Sequence, residues 1–226
     1  MTKNARLDAF SRKPAAISAL AFFLAATAAG QSAPAPAQPG PALERPVLLV
    51  IDIQNFYFAG GRLALVGSVE ASLKAKALLE AFRAKKLPVI HVQHMPKGVE
   101  AFEPGVTDAQ YAIHPNVTPL PGEPVVVKHW PNAFRETNLE ALLKARNAKT
   151  LVIAGMQTHM CVEAATRHGA DLGYDVVLVG DACATRDLKF GDATVPAASV
   201  HAAVLAAMNG TYARVAAAAE VMAALK

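Results

Sequence analysis

The segment Pro46-Val-Leu-Leu-Val-Ile-Asp52 is apolar at six successive positions and then ends in a carboxylate. Such a run is short for a helix, and a strand that is apolar on both faces has to be buried on both faces. Similar short apolar runs recur along the chain, each separated from the next by a longer stretch. The runs are residues 46–52, 87–93, 124–128, 149–154, 175–179 and 212–215.

The stretches between these runs have the spacing of amphipathic helices, with apolar residues every three or four positions. They are residues 68–86, 137–145, 161–172 and 196–209. The pattern Thr137-x-x-Glu140 matches a capping box at the start of the second helix. Strands that alternate with helices in this way predict a three-layer α/β/α sandwich, in which both faces of a parallel sheet are covered by helices.

The composition excludes several classes of protein. Of the 226 residues, 53% are hydrophobic and 18% are charged, which argues against a disordered chain. The net charge is +4, but residues 1–40 carry four basic side chains against one acidic one, so the remainder is nearly neutral. A nearly neutral body offers no basic face for nucleic acid. Two cysteines are too few for a disulfide scaffold.

The N-terminal residues have the pattern of an export signal. Basic residues up to Lys13 precede an apolar run from Ala15 to Ala29, and small residues follow it. We therefore predict a secretory signal peptide over residues 1–30, an Ala/Pro-rich linker over 31–42 and a single domain over 43–226. An uncleaved anchor is the alternative, although the run is shorter than the roughly 20 residues that span a bilayer. Cleavage would give a periplasmic or secreted protein without membrane attachment.

Three polar side chains follow the predicted strands. Asp52 closes the first strand, Lys128 closes the third, and Cys161 follows the fourth after a short turn. The carboxyl ends of parallel strands meet at one edge of a sheet, where ligands usually bind. Each residue also has an ordinary interpretation: an Asp that caps a turn, a solvated Lys or a Cys that fills apolar space.

Together, these three side chains form a coherent set for nucleophilic catalysis. A free thiol has a pKa of about 8.5, and a helix N-terminus and a nearby ammonium both favour the thiolate. We therefore expect Cys161 to be activated by its helix and by Lys128, while Asp52 accepts the thiol proton. Attack on an amide carbonyl also needs donors for the developing oxyanion, which the backbone of residues 155–160 can supply.

The same segments resemble the motifs of the isochorismatase-like cysteine hydrolases, a family related to the nicotinamidases and to N-carbamoylsarcosine amidohydrolase. The matching segments are Val50-Ile-Asp-Ile-Gln-Asn55, Val127-Lys-His-Trp-Pro-Asn-Ala-Phe134, Gly155-Met-Gln-Thr-His-Met-Cys-Val162, Asp181-Ala-Cys-Ala-Thr185 and His201-Ala-Ala. The resemblance implies a six-stranded parallel sheet and hydrolysis of a C–N bond of a small amide, carbamoyl or cyclic-amide substrate through a thioester. It also implies a homo-oligomer.

The resemblance also assigns roles to individual residues. Asp52 accepts the thiol proton, Lys128 stabilises charge beside it, and Cys161 is the nucleophile. Relatives have a cis, non-proline peptide bond that corresponds to Met156–Gln157. By analogy, the N–H groups of Gln157 and Cys161 form the oxyanion hole.

The sequence departs from the family pattern in two places. Phe56 and Tyr57 follow Asn55, where many relatives have Asp. The chain contains no Asp-x-His, the pair with which nicotinamidases bind a metal ion. We therefore expect neither a metal ion nor another cofactor.

Several further side chains are candidates for the wall of a substrate pocket. They are Phe56, His94, Trp130, Phe134 and His159. Packing of the loop is an equal alternative for Trp130 and Phe134, and His159 could merely cap its turn. His91 and His94 lie three residues apart on a strand and point to opposite faces, so they are not expected to share a metal ion. The Pro/Gly-rich segment from Pro96 to Gly122 is a candidate lid.

Two other functions remain open from the sequence. Cys183 ends the strand next to the predicted nucleophile's strand, and a bond between Cys161 and Cys183 would favour a thiol-redox protein. That interpretation leaves Asp52 and Lys128 without a role. The other possibility is a ligand-binding protein that retains the fold without turnover.

Overall fold

The computed structural model describes residues 42–95 and 107–226. The predicted signal peptide and nearly all of the predicted linker lie outside the described residues, as do residues 96–106 of the candidate lid. No helix in the described part of the chain is long and apolar enough to cross a bilayer.

A six-stranded parallel sheet forms the centre of the domain. Its strand order is β3-β2-β1-β4-β5-β8, so β1 is a central strand between β2 and β4. The strands are β1 (Pro46–Ile51), β2 (Val89–His94), β3 (Val125–Lys128), β4 (Thr150–Met156), β5 (Asp175–Ala184) and β8 (Arg214–Ala216). The predicted three-layer α/β/α sandwich is confirmed.

Helices cover both faces of this sheet. They are α1 (Ser68–Ala84), α2 (Asp108–Tyr111), α3 (Leu139–Ala145), α4 (Glu163–Asp171), α5 (Ala197–Met208) and α6 (Ala218–Ala224). Alternate residues of β1 point to opposite faces. Leu48 and Val50 join the apolar cluster under α1 and α6, whereas Leu49 and Ile51 join the cluster under α3 and α4. This burial on both faces explains why β1 is apolar throughout.

Three local features differ from the sequence predictions. The chain adds an antiparallel hairpin, β6 (Leu188–Phe190) and β7 (Ala193–Val195), and the C-terminal helix α6, neither of which was predicted. The predicted helix over 161–172 is preceded by a π-helical turn, Thr158–Val162, so Cys161 lies inside that turn and α4 begins two residues later.

The predicted capping box is wrong. The N-cap of α3 is Asn138, one residue after Thr137. The Thr137 hydroxyl donates to the Ala133 carbonyl and accepts from the Leu139 N–H, so it closes a turn before the helix. Glu140 pairs instead with Lys144 one helical turn away.

Candidate active site

The sheet register brings the ends of β1, β3 and β4 to one edge. Ile51, the last residue of β1, is opposite Val92 on one side and Gly155 on the other. Asp52 follows with a φ of 50°, a left-handed conformation that turns the chain out of the strand. Aspartate and asparagine adopt this conformation more readily than most residues.

Close contact between β1 and β4 requires a glycine at position 155. Gly155 has a φ of 148°, and a Cβ there would overlap the carbonyl oxygen of Ile51. The cis peptide bond between Met156 and Gln157, which the family resemblance implies, follows directly. The π-helical turn with Cys161 comes next, so the nucleophile candidate lies at the end of β4 beside Asp52.

The structure brings Asp52, Lys128 and Cys161 together at this edge. The Lys128 Nζ lies 2.7 Å from Asp52 Oδ2 and 3.3 Å from Cys161 Sγ, so one ammonium group contacts both partners. Asp52 and Lys128 are fully buried, and Cys161 is 4% exposed. A buried ion pair of this kind is costly to desolvate and is therefore weak evidence of a purely stabilising role.

Burial dominates the electrostatics of these three groups. Burial raises the pKa of Cys161 to about 12, and the Asp52 charge raises it further, against the opposing effect of Lys128. Burial acts against the charge of Lys128, but Asp52 and Cys161 outweigh it and raise the pKa of the lysine. Cys161 is therefore a thiol at neutral pH, because its desolvation outweighs the attraction of Lys128.

This arrangement provides a short path for one proton. The Asp52 carboxylate and Cys161 Sγ contact the same ammonium group, and Lys128 stays charged beside both. Transfer of the proton from Sγ to the carboxylate leaves the net charge of the three side chains unchanged. It needs no further desolvation of charge, so a thiol that is unreactive at rest can become a nucleophile when a substrate arrives.

His94 lies directly against the lysine. Its Nδ1 is 3.3 Å from Lys128 Nζ, and burial lowers the pKa of the imidazole to about 4. The ring is therefore neutral at neutral pH, and Nδ1 accepts from the ammonium. The predicted pocket residue His94 thus helps to orient Lys128.

Gln54 fixes the backbone beside His94 and was missed in the sequence analysis, although it belongs to a quoted motif. Its amide nitrogen donates to the carbonyls of His94 at 2.9 Å and Tyr111 at 2.5 Å, and its oxygen accepts from the His94 N–H at 2.9 Å. The side chain therefore joins the end of β2 to the segment around α2, which a single sequence does not reveal.

The turn before the nucleophile is held from both ends. The Gln157 carbonyl accepts from the N–H groups of Met160 and Val162, and Thr158 Oγ1 lies 2.9 Å from Nδ1 of His201 on α5. Within the described residues, the Gln157 N–H donates to no other group. It remains available for an oxyanion, as the family resemblance implies.

The Gln157 side chain joins two residues that the sequence analysis did not select. Its Nε2 donates to the Tyr57 hydroxyl at 3.3 Å, and its Oε1 accepts from Arg186 Nε at 3.0 Å. Burial raises the pKa of Tyr57 well above its usual value, and the charges of Cys161 and Asp52 raise it further. A neutral tyrosine hydroxyl therefore lies within the electric field of the catalytic candidates.

The predicted aromatic pocket residues lie in other surroundings. Phe56 is 2% exposed and packs against Tyr57 and Tyr111 in the core cluster under α1, so packing explains this residue.

Trp130 and Phe134 also have contacts that account for them. The Arg135 guanidinium lies 3.9 Å from the centre of the Trp130 ring, and Phe134 stacks on His168 of α4 at 4.8 Å. These contacts agree with the packing alternative.

His159 lies in the turn itself, where its Nδ1 is 2.5 Å from Thr185 Oγ1 at the end of β5. Burial and the charge of Arg186 lower the pKa of this half-buried imidazole, which is therefore neutral at neutral pH. The contact joins the nucleophile's turn to the neighbouring strand.

His91 belongs to a different network. It is fully buried, and its Nε2 lies 3.0 Å from Glu123, which also accepts two hydrogen bonds from Arg83. His91 and His94 therefore point to opposite sides of β2. In the described ranges, no three His, Cys, Asp or Glu side chains are grouped as a metal site would need.

Known proteins with a similar sequence and fold share one domain family. The isochorismatase domain family matches residues 46–220. The chain is 46% identical over 170 residues to YddQ of Bacillus subtilis, an isochorismatase family protein of uncharacterised function, with coverage of 74% of this chain and 93% of YddQ. A solved structure from Oleispira antarctica, described as an isochorismatase hydrolase, is 46% identical, with a TM-score of 0.74 and coverage of 79% of this chain and 96% of that one.

A third relative has an activity in its name. The chain is 31% identical over 202 residues to the ureidoacrylate amidohydrolase RutB of Rhizobium rhizogenes, with coverage of 70% of this chain and 82% of the relative. The match of the family over most of the chain, the shared fold and these identities lead to one conclusion: the chain belongs to the isochorismatase family.

Proposed function

We propose that this protein is a cysteine-dependent hydrolase that cleaves a C–N bond of a small amide, carbamoyl or cyclic-amide substrate through a thioester, without a metal ion. The observation that carries the proposal is the contact of Lys128 Nζ with both Asp52 Oδ2 and Cys161 Sγ in a buried site. A nucleophile, a proton acceptor and a fixed positive charge are the groups that acyl transfer from an amide requires.

In the first step, a substrate carbonyl carbon approaches Cys161. The thiol proton passes to the Asp52 carboxylate as Sγ bonds to that carbon, and the carbonyl oxygen takes the negative charge. The N–H groups of Gln157 and Cys161 bind this oxyanion. Lys128 stabilises the charges on both sides of the transferred proton, since it contacts both groups.

In the second step, the tetrahedral intermediate collapses. The protonated Asp52 gives its proton to the leaving nitrogen, the C–N bond breaks, and ammonia or an amine departs from a thioester on Cys161. Water then attacks the thioester carbonyl and gives a proton to Asp52. Release of the acid product returns this proton to Sγ and restores the resting site.

Lys128 makes a metal ion unnecessary in this mechanism. Its ammonium occupies the centre of the site, and the pKa of this group is raised, so the positive charge persists throughout.

Relatives support the reaction class. The family contains proteins named as amidohydrolases, and the ureidoacrylate amidohydrolase matches most of the domain. On this basis we assign hydrolysis of a non-peptide C–N bond to this chain. The predicted signal peptide adds a proposal about location: export to the periplasm or medium, which fractionation of cells that express the full chain tests directly.

The experiment is intact mass spectrometry of the purified protein after incubation with a panel of small amides and ureas, with and without hydroxylamine. We expect an acyl adduct on Cys161 that hydroxylamine removes and that Cys161→Ser does not form. Turnover that survives in Cys161→Ser would refute the mechanism. A mass two units low, from a Cys161–Cys183 bond, would favour the thiol-redox alternative.

A further inference from the structure

Tyr57 has a buried hydroxyl group whose role in hydrogen bonding is fixed by its neighbours. A guanidinium can only donate, so the Oε1 of Gln157 has to face Arg186 Nε, which lies 3.0 Å away. The amide nitrogen of Gln157 then faces Tyr57 and donates to the hydroxyl oxygen at 3.3 Å. The tyrosine is therefore the acceptor in this contact, and its own hydrogen is directed to another group.

Among the residues that the structure describes, none accepts that hydrogen. The tyrosine is 3% exposed, and a buried O–H group without an acceptor is unfavourable. Packing alone does not account for the hydroxyl, since Phe56 fills the adjoining part of the same core without one. The hydroxyl of Tyr57 is therefore suited to donate to a molecule that enters the site.

The same hydroxyl lies beside the reacting groups. Its partner Gln157 also carries the backbone N–H that we assign to the oxyanion. Burial raises the pKa of Tyr57 well above its usual value, and the charges of Cys161 and Asp52 raise it further. Such effects weaken with distance, so both groups lie near the phenol. The hydroxyl also stays protonated at neutral pH and can donate throughout the reaction.

The tyrosine is held in place from several sides. Its N–H donates to the Gln54 carbonyl at 3.0 Å, and its carbonyl accepts from the Leu65 N–H at 2.9 Å. The rings of Phe56 and Tyr57 pack with their centres 4.1 Å apart. A donor that is fixed before the substrate arrives needs no rearrangement when charge develops, which is the property of an effective oxyanion hole.

We propose that Tyr57 donates a hydrogen bond to the substrate oxygen that becomes negative when Cys161 attacks, as a third donor beside the N–H groups of Gln157 and Cys161. The proton remains on the phenol, so no covalent step changes. This inference rests on the proposed hydrolase function and adds a catalytic residue to it. A hydrogen bond that strengthens as the oxygen becomes charged lowers the barrier of the reaction.

Reversible addition of an aldehyde to Cys161 tests this inference, with acetaldehyde and benzaldehyde as the probes. Sγ bonds to the aldehyde carbon, the thiol proton passes to Asp52, and the tetrahedral oxygen takes the position of the oxyanion. The adduct protects Cys161 from iodoacetamide. Mass spectrometry of the peptides over a range of aldehyde concentrations therefore gives the dissociation constant of the adduct. Cys183 in the same sample is not expected to be protected, which controls for loss of the reagent.

Tyr57→Phe removes the hydroxyl and keeps the ring. We expect the dissociation constant of the adduct to rise about 10- to 100-fold, the loss that is typical of one hydrogen bond to a charged group. Tyr174→Phe is the matched control and should change the constant less than twofold, because Tyr174 precedes β5 and lies at the opposite edge of the sheet. An unchanged constant in Tyr57→Phe would overturn the inference while leaving the hydrolase function intact.

Fluorinated tyrosines in place of Tyr57 separate donation to the oxyanion from acceptance of the Gln157 hydrogen bond. One or two fluorine atoms beside the hydroxyl make it more acidic, so it donates more strongly and accepts more weakly. We expect the affinity for the aldehyde to rise with each fluorine. The reverse order would refute the inference, because the hydroxyl would then act only as an acceptor for Gln157.

The wild-type protein separates this inference from the proposal on which it rests. Protection of Cys161 by at least one aldehyde is expected if the thiol is a nucleophile, whatever the role of Tyr57. If neither aldehyde protects Cys161, the hydrolase mechanism is refuted and the inference falls with it. Protection that is equal in the wild type and in Tyr57→Phe refutes the inference alone.

Discussion

The two cysteines of this protein have similar burial but different partners. Cys161 and Cys183 are each less than 10% exposed, both are free thiols, and burial raises the pKa of each to about 12. The Sγ of Cys161 contacts Lys128, which also contacts the Asp52 carboxylate, whereas the Sγ of Cys183 donates to the Val179 carbonyl at 3.3 Å. A carbonyl cannot accept the thiol proton outright, but a carboxylate can.

This comparison shows that resting acidity does not distinguish a nucleophile from a filler of apolar space. Both thiols are protonated at neutral pH. What sets Cys161 apart is a nearby base, together with a lysine whose charge stays in place during proton transfer. The reactivity of Cys161 is therefore a property of the groups that surround the thiol.

The largest effect is expected from the two cysteines themselves. Cys161→Ser should lower kcat/KM at least about 10⁴-fold, because the hydroxyl is a weaker nucleophile and a weaker acid than the thiol. Cys183→Ser is the matched control and should retain activity within about threefold, since a hydroxyl can donate to Val179 in the same way. Circular dichroism and thermal melts check that both variants fold. Equal losses in the two variants would remove the distinction between the cysteines.

Asp52→Asn should have the next largest effect, a loss of about 10²- to 10⁴-fold in kcat/KM, because the amide cannot accept the thiol proton. Asparagine also adopts the left-handed conformation of Asp52, whose φ is 50°, so the backbone should be preserved. The loss should appear in kcat rather than in KM if Asp52 acts on the proton. A variant that keeps wild-type kcat would exclude Asp52 as the base.

Lys128→Met tests whether the charges around Cys161 depend on each other. The single substitution leaves the buried Asp52 carboxylate uncompensated and should lower the free energy of unfolding by about 3–5 kcal/mol. Adding Asp52→Asn removes the uncompensated charge, so the double variant should be more stable than Lys128→Met alone. Chemical denaturation of the four proteins of this cycle gives the coupling. Additive losses would mean that the two side chains are not coupled.

The sequence predicts which side chains lie at the edge of the sheet, but it does not predict how deeply they are buried. Asp52 and Lys128 were found because each follows an apolar strand, and parallel strands place their carboxyl ends together. The pKa of Cys161 could not be derived from the sequence, because its burial, which opposes the thiolate, depends on packing from several elements. Local motifs show the charged partner and not the cost of desolvation.

Other residues of the site carry no signal that one sequence could reveal. Gln54 acts through the backbone of His94, forty residues away. Arg186 follows the last residue of a quoted motif. Its contact with Gln157 forms because β4 and β5 are neighbouring strands, which the sequence does not show. Conversely, Phe56 and Phe134 were selected for their aromatic rings, yet both pack against neighbouring side chains.

The smallest effect is expected in the rate at which iodoacetamide alkylates the two cysteines, and this rate compares them directly. Because the pKa of Cys161 is about 12, its thiolate fraction and labelling rate should rise about tenfold per pH unit from pH 7 to 9 without a plateau. Asp52→Asn removes a negative charge that raises this pKa and leaves Lys128 to stabilise the thiolate. Labelling of Cys161 at pH 7 should therefore become about tenfold faster in the variant that loses turnover.

The same experiment contains its own control, because mass spectrometry of tryptic peptides reports Cys161 and Cys183 separately. Cys183 has no carboxylate among its hydrogen-bond partners, so its labelling rate should be the same in the wild type and in Asp52→Asn. A plateau below pH 8 for wild-type Cys161 would mean that a thiolate is already present at rest. An Asp52→Asn variant with an unchanged Cys161 rate would mean that the carboxylate does not hold the thiol protonated, and the contrast between the two cysteines would then need another cause.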